Sequence, residues 1–499
     1  MKKLMNKLVN AKISNSYMFI LFGISAVMMA GYFSYAWFTI QGVQQYSIVT
    51  GTLSGTVSIG DNSVSIEGVG VINYTPKSDV DIITLTVTNT SDRTVKNSIY
   101  YYDPADENIK VGYTSDSSTI PTTTGVSIEK GKSLTYKIGI LNSKDKEIRI
   151  GSSMGLASAN LTVPSNATVP GKTDTPTIVE YLLSKVNDEN LEYNSATDAQ
   201  KNQMWTFSHE QTEQTTALTD YRYIGSNPNN YVKFNDELWR IIGVFDVDNG
   251  TGTVEKRLKI IRNETIGNYS WDNKDTTTGA VNDNGKNNWL DARLNYLLNS
   301  DHDNETYGGS LYWNRKSGTC YSGANNATVS CDFTSSGLTD NAKKMIDDAM
   351  WYLGGNSETN DSSPVSWYSY ERGTKVYGDY SKNWVGKVGL IYPSDYGYAT
   401  SGGDSMNRTT CLTNGLVHWA EDDKTDCKNN DWLLTKQYFW TISSNYGYNL
   451  VYYVGATGFV NHLSANRSNH SVYPVVYLNS NVKIMCGTGT SDLPFVLEN

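Results

Sequence analysis

The strongest constraint on this chain is an apolar run behind a cluster of lysines at its N-terminus. Lys2, Lys3, Lys7 and Lys12 are the only charged residues before Asp61, and residues 17–38 (YMFILFGISAVMMAGYFSYAWF) carry no charge. Built as a helix at ~1.5 Å per residue, that run reaches about 33 Å, enough to cross a hydrocarbon core of about 30 Å. The lysine flank favours a cytoplasmic N-terminus, and Tyr17, Tyr35 and Trp37 suit the two interfaces. A single-pass membrane protein with a C-terminal extracellular ectodomain is therefore expected. Ser34-Tyr35-Ala36 offers small residues to a signal peptidase, which keeps a cleaved, secreted product open. The run exceeds the ~7–15 residues of a signal h-region, which favours a retained transmembrane helix.

Composition narrows the partners. With the four leader lysines set aside from 41, 37 basic residues face 51 acidic ones, a balance of −14. Phosphate backbones and anionic lipid surfaces both need a basic footprint, so nucleic acid is not an expected partner. Tyrosine is abundant, 35 residues against 11 phenylalanines and 12 tryptophans. A tyrosine ring joins an apolar face to a hydroxyl at low entropic cost, which suits recognition surfaces.

All five cysteines lie in the last 180 residues. Outside the cytoplasm thiols pair. The simplest pairing closes two short loops, Cys320 with Cys331 and Cys411 with Cys427, and leaves Cys486 over; spacing alone does not fix the connectivity. No CxxC, HExxH or P-loop occurs, so no metal, cofactor or catalytic residue is assigned. The loop 246–254 (DVDNGTGTV) has the acids of a calcium loop but the wrong spacing. Its Asn249-Gly250 step reads as a hairpin turn. Asp395 in PSDYG and Asp431 in NNDWL read as turn or capping acids rather than catalytic ones.

The expected organisation is multi-domain. Residues 1–40 form the membrane anchor or signal segment. Residues 41–165 form an all-β sandwich of the immunoglobulin-like kind, in which ITLTVTNTS (83–91) and VSIEKGKSLTYKIGI (126–140) alternate apolar and polar positions. Residues 166–176 form a linker and residues 177–499 an α+β domain. Helices are predicted at 176–187, 288–298 and 340–353, the last from Ala342, Met345, Ile346, Ala349, Met350 and Leu353 at helical spacing before Gly354-Gly355. Strands are predicted at 238–246, 256–262, 387–392, 438–443, 450–454, 472–478 and 482–485.

The stretches YRYIGSNPNNYVKFNDELWRIIGVF (221–245), NNWLDARLNYLLN (287–299), VGLIYPSDYGYAT (388–400), NNDWL, FWTIS and VYPVVYLNSNVKI, with the ending GTGTSDLPFVL, follow in collinear order. They resemble an uncharacterised bacterial extracellular domain family that is similar to the C-type-lectin-like fold shared with formylglycine-generating enzymes. The resemblance covers residues 221–497 and implies a scaffold that presents variable binding loops, diversified at the gene level in some relatives. Tyr473 stands where relatives carry Arg, a change expected to remove a structural ion pair. Met485-Cys486-Gly487 departs as well. The stretch Ala36-Trp37-Phe38-Thr39 resembles the start of secreted matrix-fibre proteins of the camelysin and TasA type.

The candidate binding segment is 443–473. Its candidate ligand residues are Asn445, Tyr446, Tyr448, Asn449, Tyr452, Tyr453, Asn461, His462, Asn466, Asn469 and His470, with 394–406 as an additional candidate loop. The competing reading is a tyrosine-rich segment that fills its own domain. The expected function is a cell-surface or secreted, adhesin-like binding protein whose C-type-lectin-like domain takes a surface protein or glycan. A polymerising matrix protein and an enzyme related to the formylglycine-generating kind are the alternatives.

Overall fold

The computed structural model describes residues 44–45, 53–60, 62–161, 163–274, 285–356, 361–446 and 449–499. Strands make up 37% of it and helices 14%, which corrects the expected class. The larger region is not α+β of the C-type-lectin-like kind but a β scaffold with short helical insertions. The longest helix among the described residues, Pro364–Glu371, has eight residues. None of the described helices is long and apolar enough to cross a membrane. The expected membrane span, residues 17–38, lies outside the described residues. The chain divides into two compact units between Asp174 and Thr175.

The first unit is a β-sandwich whose two leaves belong to one strand path. One leaf runs Ala167–Thr168, Val95–Tyr102, Ile148–Leu156, Val69–Tyr74. The other runs Asn62–Glu67, Ser54–Ile59, Val80–Asn89, Ser133–Leu141, Lys110–Tyr113, Gly171–Lys172. A single pair, Glu67 with Val69, joins the leaves across Gly68, whose φ of 85° suits a residue without Cβ. The short strands Ala167–Thr168 and Gly171–Lys172 end the path on opposite leaves. Residues read as linker are thus paired, and they tie the far edges together. This continuous path replaces the immunoglobulin-like arrangement of two independent sheets. Alternation in Val80–Asn89 puts Ile83, Leu85 and Val87 inward, where they share one core with Ile99, Ile138 and Ile150. At its centre the buried Asn97 amide donates to Ser152 Oγ (2.7 Å) and Ser153 O (3.0 Å) and accepts from Tyr136 Oη (3.1 Å).

The second unit is built on a nine-stranded sheet. Its path runs Val388–Gly389, Val475–Tyr477, Val254–Arg262, Glu237–Asp248, Tyr231–Phe234, Phe495–Glu498, Lys483–Cys486, and Leu218–Arg222 joins on Glu237–Asp248. The predicted hairpin 238–262 is present. Asp248 Oδ1 accepts from the amides of Gly250 (2.7 Å) and Gly252 (3.0 Å), so the acid of the calcium-like loop is used by its own turn. The first predicted helix is shorter, Ile178–Leu183. It is capped by Thr177 and Glu180 in a reciprocal box. The second is a 3₁₀ turn, Trp289–Asp291, followed by Arg293–Leu298. The third stops at Met345, and Ala349–Tyr352 is a strand paired with Asn383–Gly386. Trp351 explains the switch: its ring is wholly buried and its indole donates to Gly386 O at 3.1 Å, a partner that a continued helix would forgo.

Two disulfides join Cys320 to Cys331 and Cys411 to Cys427, with Cα separations of 5.8 and 5.5 Å. They fit an extracellular or otherwise oxidising environment. Cys486 sits outside both, half-buried in the strand Lys483–Cys486.

Candidate functional site

The segment 443–473 contributes mainly to the interior. Phe439–Ser444, Leu450–Val454 and Val460–Ser464 form a three-stranded sheet, and its tyrosines face inward on both sides. Tyr452 packs edge-on against Trp367 at 4.5 Å and its hydroxyl accepts from Asn445 Nδ2 at 3.1 Å. Tyr453 lies against Phe459 and His470, and His470 stacks on Trp440 at 4.2 Å. Asn445, Tyr452, Tyr453, Asn466 and His470 are all buried, which removes them from any ligand face. The same holds for 394–402: every residue there is buried. Asn449, Asn461 and His462 are half-buried, Asn469 and Tyr446 are exposed, and Tyr448 lies outside the described residues. Sequence alternation could not separate these cases, because a strand with both faces covered buries both of its sides.

Beneath this sheet lies a buried network of charges that sequence reading missed. Arg222, Gly243, Lys259 and Tyr477 form one cross-strand row. Gly243 is the gap in that row, since a Cβ there would meet Tyr221 O at 2.1 Å. Arg222 and Lys259 flank it, and both reach Asp395 in the first turn of the helix Pro393–Tyr398. Arg222 Nη1 donates to Asp395 Oδ1 at 2.9 Å, and Lys259 Nζ donates to Oδ2 at 2.5 Å. The Tyr392 amide also donates to Oδ2, at 3.0 Å. Asp395 is therefore a helix cap, as its sequence context suggests, and also the centre of an ion cluster. Arg222 Nη2 holds Asp220 at 2.8 Å, and His209 Nε2 lies 3.0 Å from the same carboxylate.

The network continues through Glu371 and Arg372 at the end of Pro364–Glu371. Ser394 donates to Glu371 from its amide (2.8 Å) and its hydroxyl (2.5 Å). Arg372 lies 3.6 Å over the Tyr368 ring, whose plane also stacks on His209 at 3.6 Å. Burial raises the Glu371 carboxyl to about 7 despite Arg372 and Ser394. Burial lowers the Lys259 ammonium to about 8 against the pull of Asp395. For Asp395 burial works upward, but Lys259 and Arg222 outweigh it and hold the carboxyl below its usual range. Asp431 goes the other way: burial raises it well above the carboxylate range, and its Oδ1 accepts from the Leu433 amide at 2.8 Å, a turn contact. Tyr473 is buried edge-on against Phe439 at 5.4 Å, with its hydroxyl 3.2 Å from Gln437 Oε1.

The network anchors one wall of an open cleft of about 480 Å³, lined by Gln211, Thr212, Glu213, Gly355, Ser369, Tyr370, Gly373 and Lys375. Glu371 and Arg372 point into the core while their neighbours Tyr370 and Thr374 stay exposed. The opposite wall is tied across: Glu213 Oε2 accepts from the Thr374 amide (2.6 Å) and hydroxyl (2.5 Å), and Gln214 Nε2 donates to Gly373 O (2.7 Å). Gly354-Gly355, read as a helix stop, instead permit close approach. A Cβ would meet Tyr370 O at 2.3 Å from Gly354 and Ser444 O at 2.4 Å from Gly355. The Tyr446 amide donates to Asn356 O at 3.0 Å, which brings the one well-exposed tyrosine among the described residues of the expected segment to this rim. Paired glycines beside a tyrosine-rich helix were the available sequence signal.

A second depression of about 490 Å³ contains Asp361, His418 and Glu421. His418 Nδ1 lies 2.6 Å from Glu421 Oε1 and Nε2 lies 3.2 Å from Asp361 Oδ1, so each ring nitrogen is already engaged by a carboxylate. Among the described residues no group of three or more His, Cys, Asp or Glu side chains could hold a metal ion. Comparison of the chain with protein-family models, curated proteins and solved structures gives no match.

Proposed function

We propose that this is an exported binding protein that takes a hydroxyl-rich ligand, a saccharide of a surface glycan, in the cleft between residues 211–214 and 369–375. The observation that carries the reading is the exposed Tyr370 ring beside amide, hydroxyl, carboxylate and ammonium side chains, on a wall fixed from below by buried charge. An exposed ring offers an apolar face to the C–H face of a sugar, and the surrounding groups offer hydrogen bonds in several directions. Tyr446 at the rim extends the same chemistry. The net negative charge of the chain disfavours polyanionic ligands. The task of such a site is recognition rather than reaction.

The test is binding of the full chain to immobilised neutral glycans and matrix proteins, native against Tyr370→Ala, with both melts recorded. Glycan binding that the folded variant loses supports the reading. Binding to proteins alone, or glycan binding indifferent to Tyr370, contradicts it. Large concentration-dependent species with no binding would favour a matrix-forming role.

A further inference from the structure

The Lys259–Asp395 pair has a geometry that the ligand cleft does not require. Both side chains are essentially excluded from water, at 1% exposure each. The ammonium lies among the rings of Tyr392, Tyr477, Phe245 and Trp351, 4.4 to 5.5 Å from their centroids. Asp395 Oδ1 faces Arg222 Nη1, and Oδ2 faces the Tyr392 amide. We infer that Lys259 and Asp395 condense to an intramolecular amide, a covalent cross-link between the strand Val254–Arg262 and the helix Pro393–Tyr398.

The step needs no outside reagent. In a site without water the ion pair is poorly supported, and transfer of one proton from Nζ to the carboxylate yields a neutral amine and a neutral acid. The depressed basicity of Lys259, at about 8, reduces the cost of that transfer, and Arg222 opposes it by holding the Asp395 carboxyl below its usual range. The amine lone pair then attacks Cγ, forming the N–C bond. The proton sits on Oδ2, the oxygen that Lys259 contacts, so the negative charge develops on Oδ1 and is met there by the Arg222 guanidinium, while the Tyr392 N–H holds the departing oxygen. The C–O bond to the hydroxyl breaks, the hydroxyl takes a proton from nitrogen, and one water leaves. One positive and one negative charge disappear together, and Arg222 keeps Asp220 as its partner. The sheet row and the helix cap hold the reactants in contact, which replaces an encounter by a fixed geometry. The link spans 136 residues of sequence and would restrict the unfolded chain as a disulfide does, without sensitivity to reductant.

The test is tryptic digestion of the full chain, purified folded and then reduced and denatured, read by tandem mass spectrometry. The inference expects residues 258–262 uncut at Lys259 and joined to residues 388–408, one water lighter than the two peptides apart. Fragmentation should place the link on Asp395 rather than Asp404. Lys259→Arg should abolish this species. If that variant does not fold, the native digest decides alone. Full cleavage after Lys259 with an unmodified 388–408 peptide would overturn the inference and leave a plain buried ion pair.

Discussion

Glu371→Gln tests whether the buried network is as desolvated as its geometry indicates. The Glu371 carboxyl is fully enclosed and rises from 4.5 to about 7. A raised carboxyl binds its proton more tightly in the folded state. Its contribution is therefore fully present below about pH 4.5 and is lost as pH climbs through about 7. The full contribution is about 3 kcal/mol, and the part lost between about pH 5 and about pH 7.5 is about 2 kcal/mol. Glutamine keeps an acceptor for the Ser394 amide but cannot ionise, so the variant should lack this loss. Eleven of the twelve tryptophans lie within residues 175–499, so tryptophan fluorescence follows the second unit. Between those two pH values the native melt should fall by roughly 3 °C more than the variant's. Equal pH slopes, or a native protein that gains stability over this range, would refute the argument.

Other expectations follow from burial. Tyr452→Ser should cost about 3–5 kcal/mol because it empties a packed site against Trp367, whereas Tyr446→Ser should stay within about 0.5 kcal/mol. Urea unfolding followed by fluorescence separates the two. Replacing Cys411 and Cys427 together by serine should lower stability by about 3 kcal/mol, with no further effect of reductant at that loop. Asn97→Ala should cost about 1–3 kcal/mol by stranding the Tyr136 hydroxyl and Ser152. That loss should appear in far-ultraviolet circular dichroism and not in tryptophan fluorescence.

Local signals in the sequence were read well where one force dominated. The hairpin around Asn249-Gly250, the alternating strand Val80–Asn89 and the two short cysteine loops each follow from turn chemistry, period or chain length. Reading failed where long-range packing decided. The helical spacing across 340–353 gave way to the buried Trp351, which pairs with a strand more than thirty residues away. The tyrosines of 450–454 resembled a binding face by composition, but both sides of their strand are covered. Lys259 and Arg222 carry no local signal that sets them apart from other charged residues. Nothing local reveals that one glycine, Gly243, lets both meet a carboxylate more than a hundred residues away.

The central claim is the place of ligand contact, and hydrogen–deuterium exchange of the full chain tests it most directly. With the best-binding glycan at saturation, exchange should slow at 211–214, 354–356 and 369–375, with no change at the already buried 450–454. Slowing confined to 413–424, around His418, or to the first unit, would contradict it.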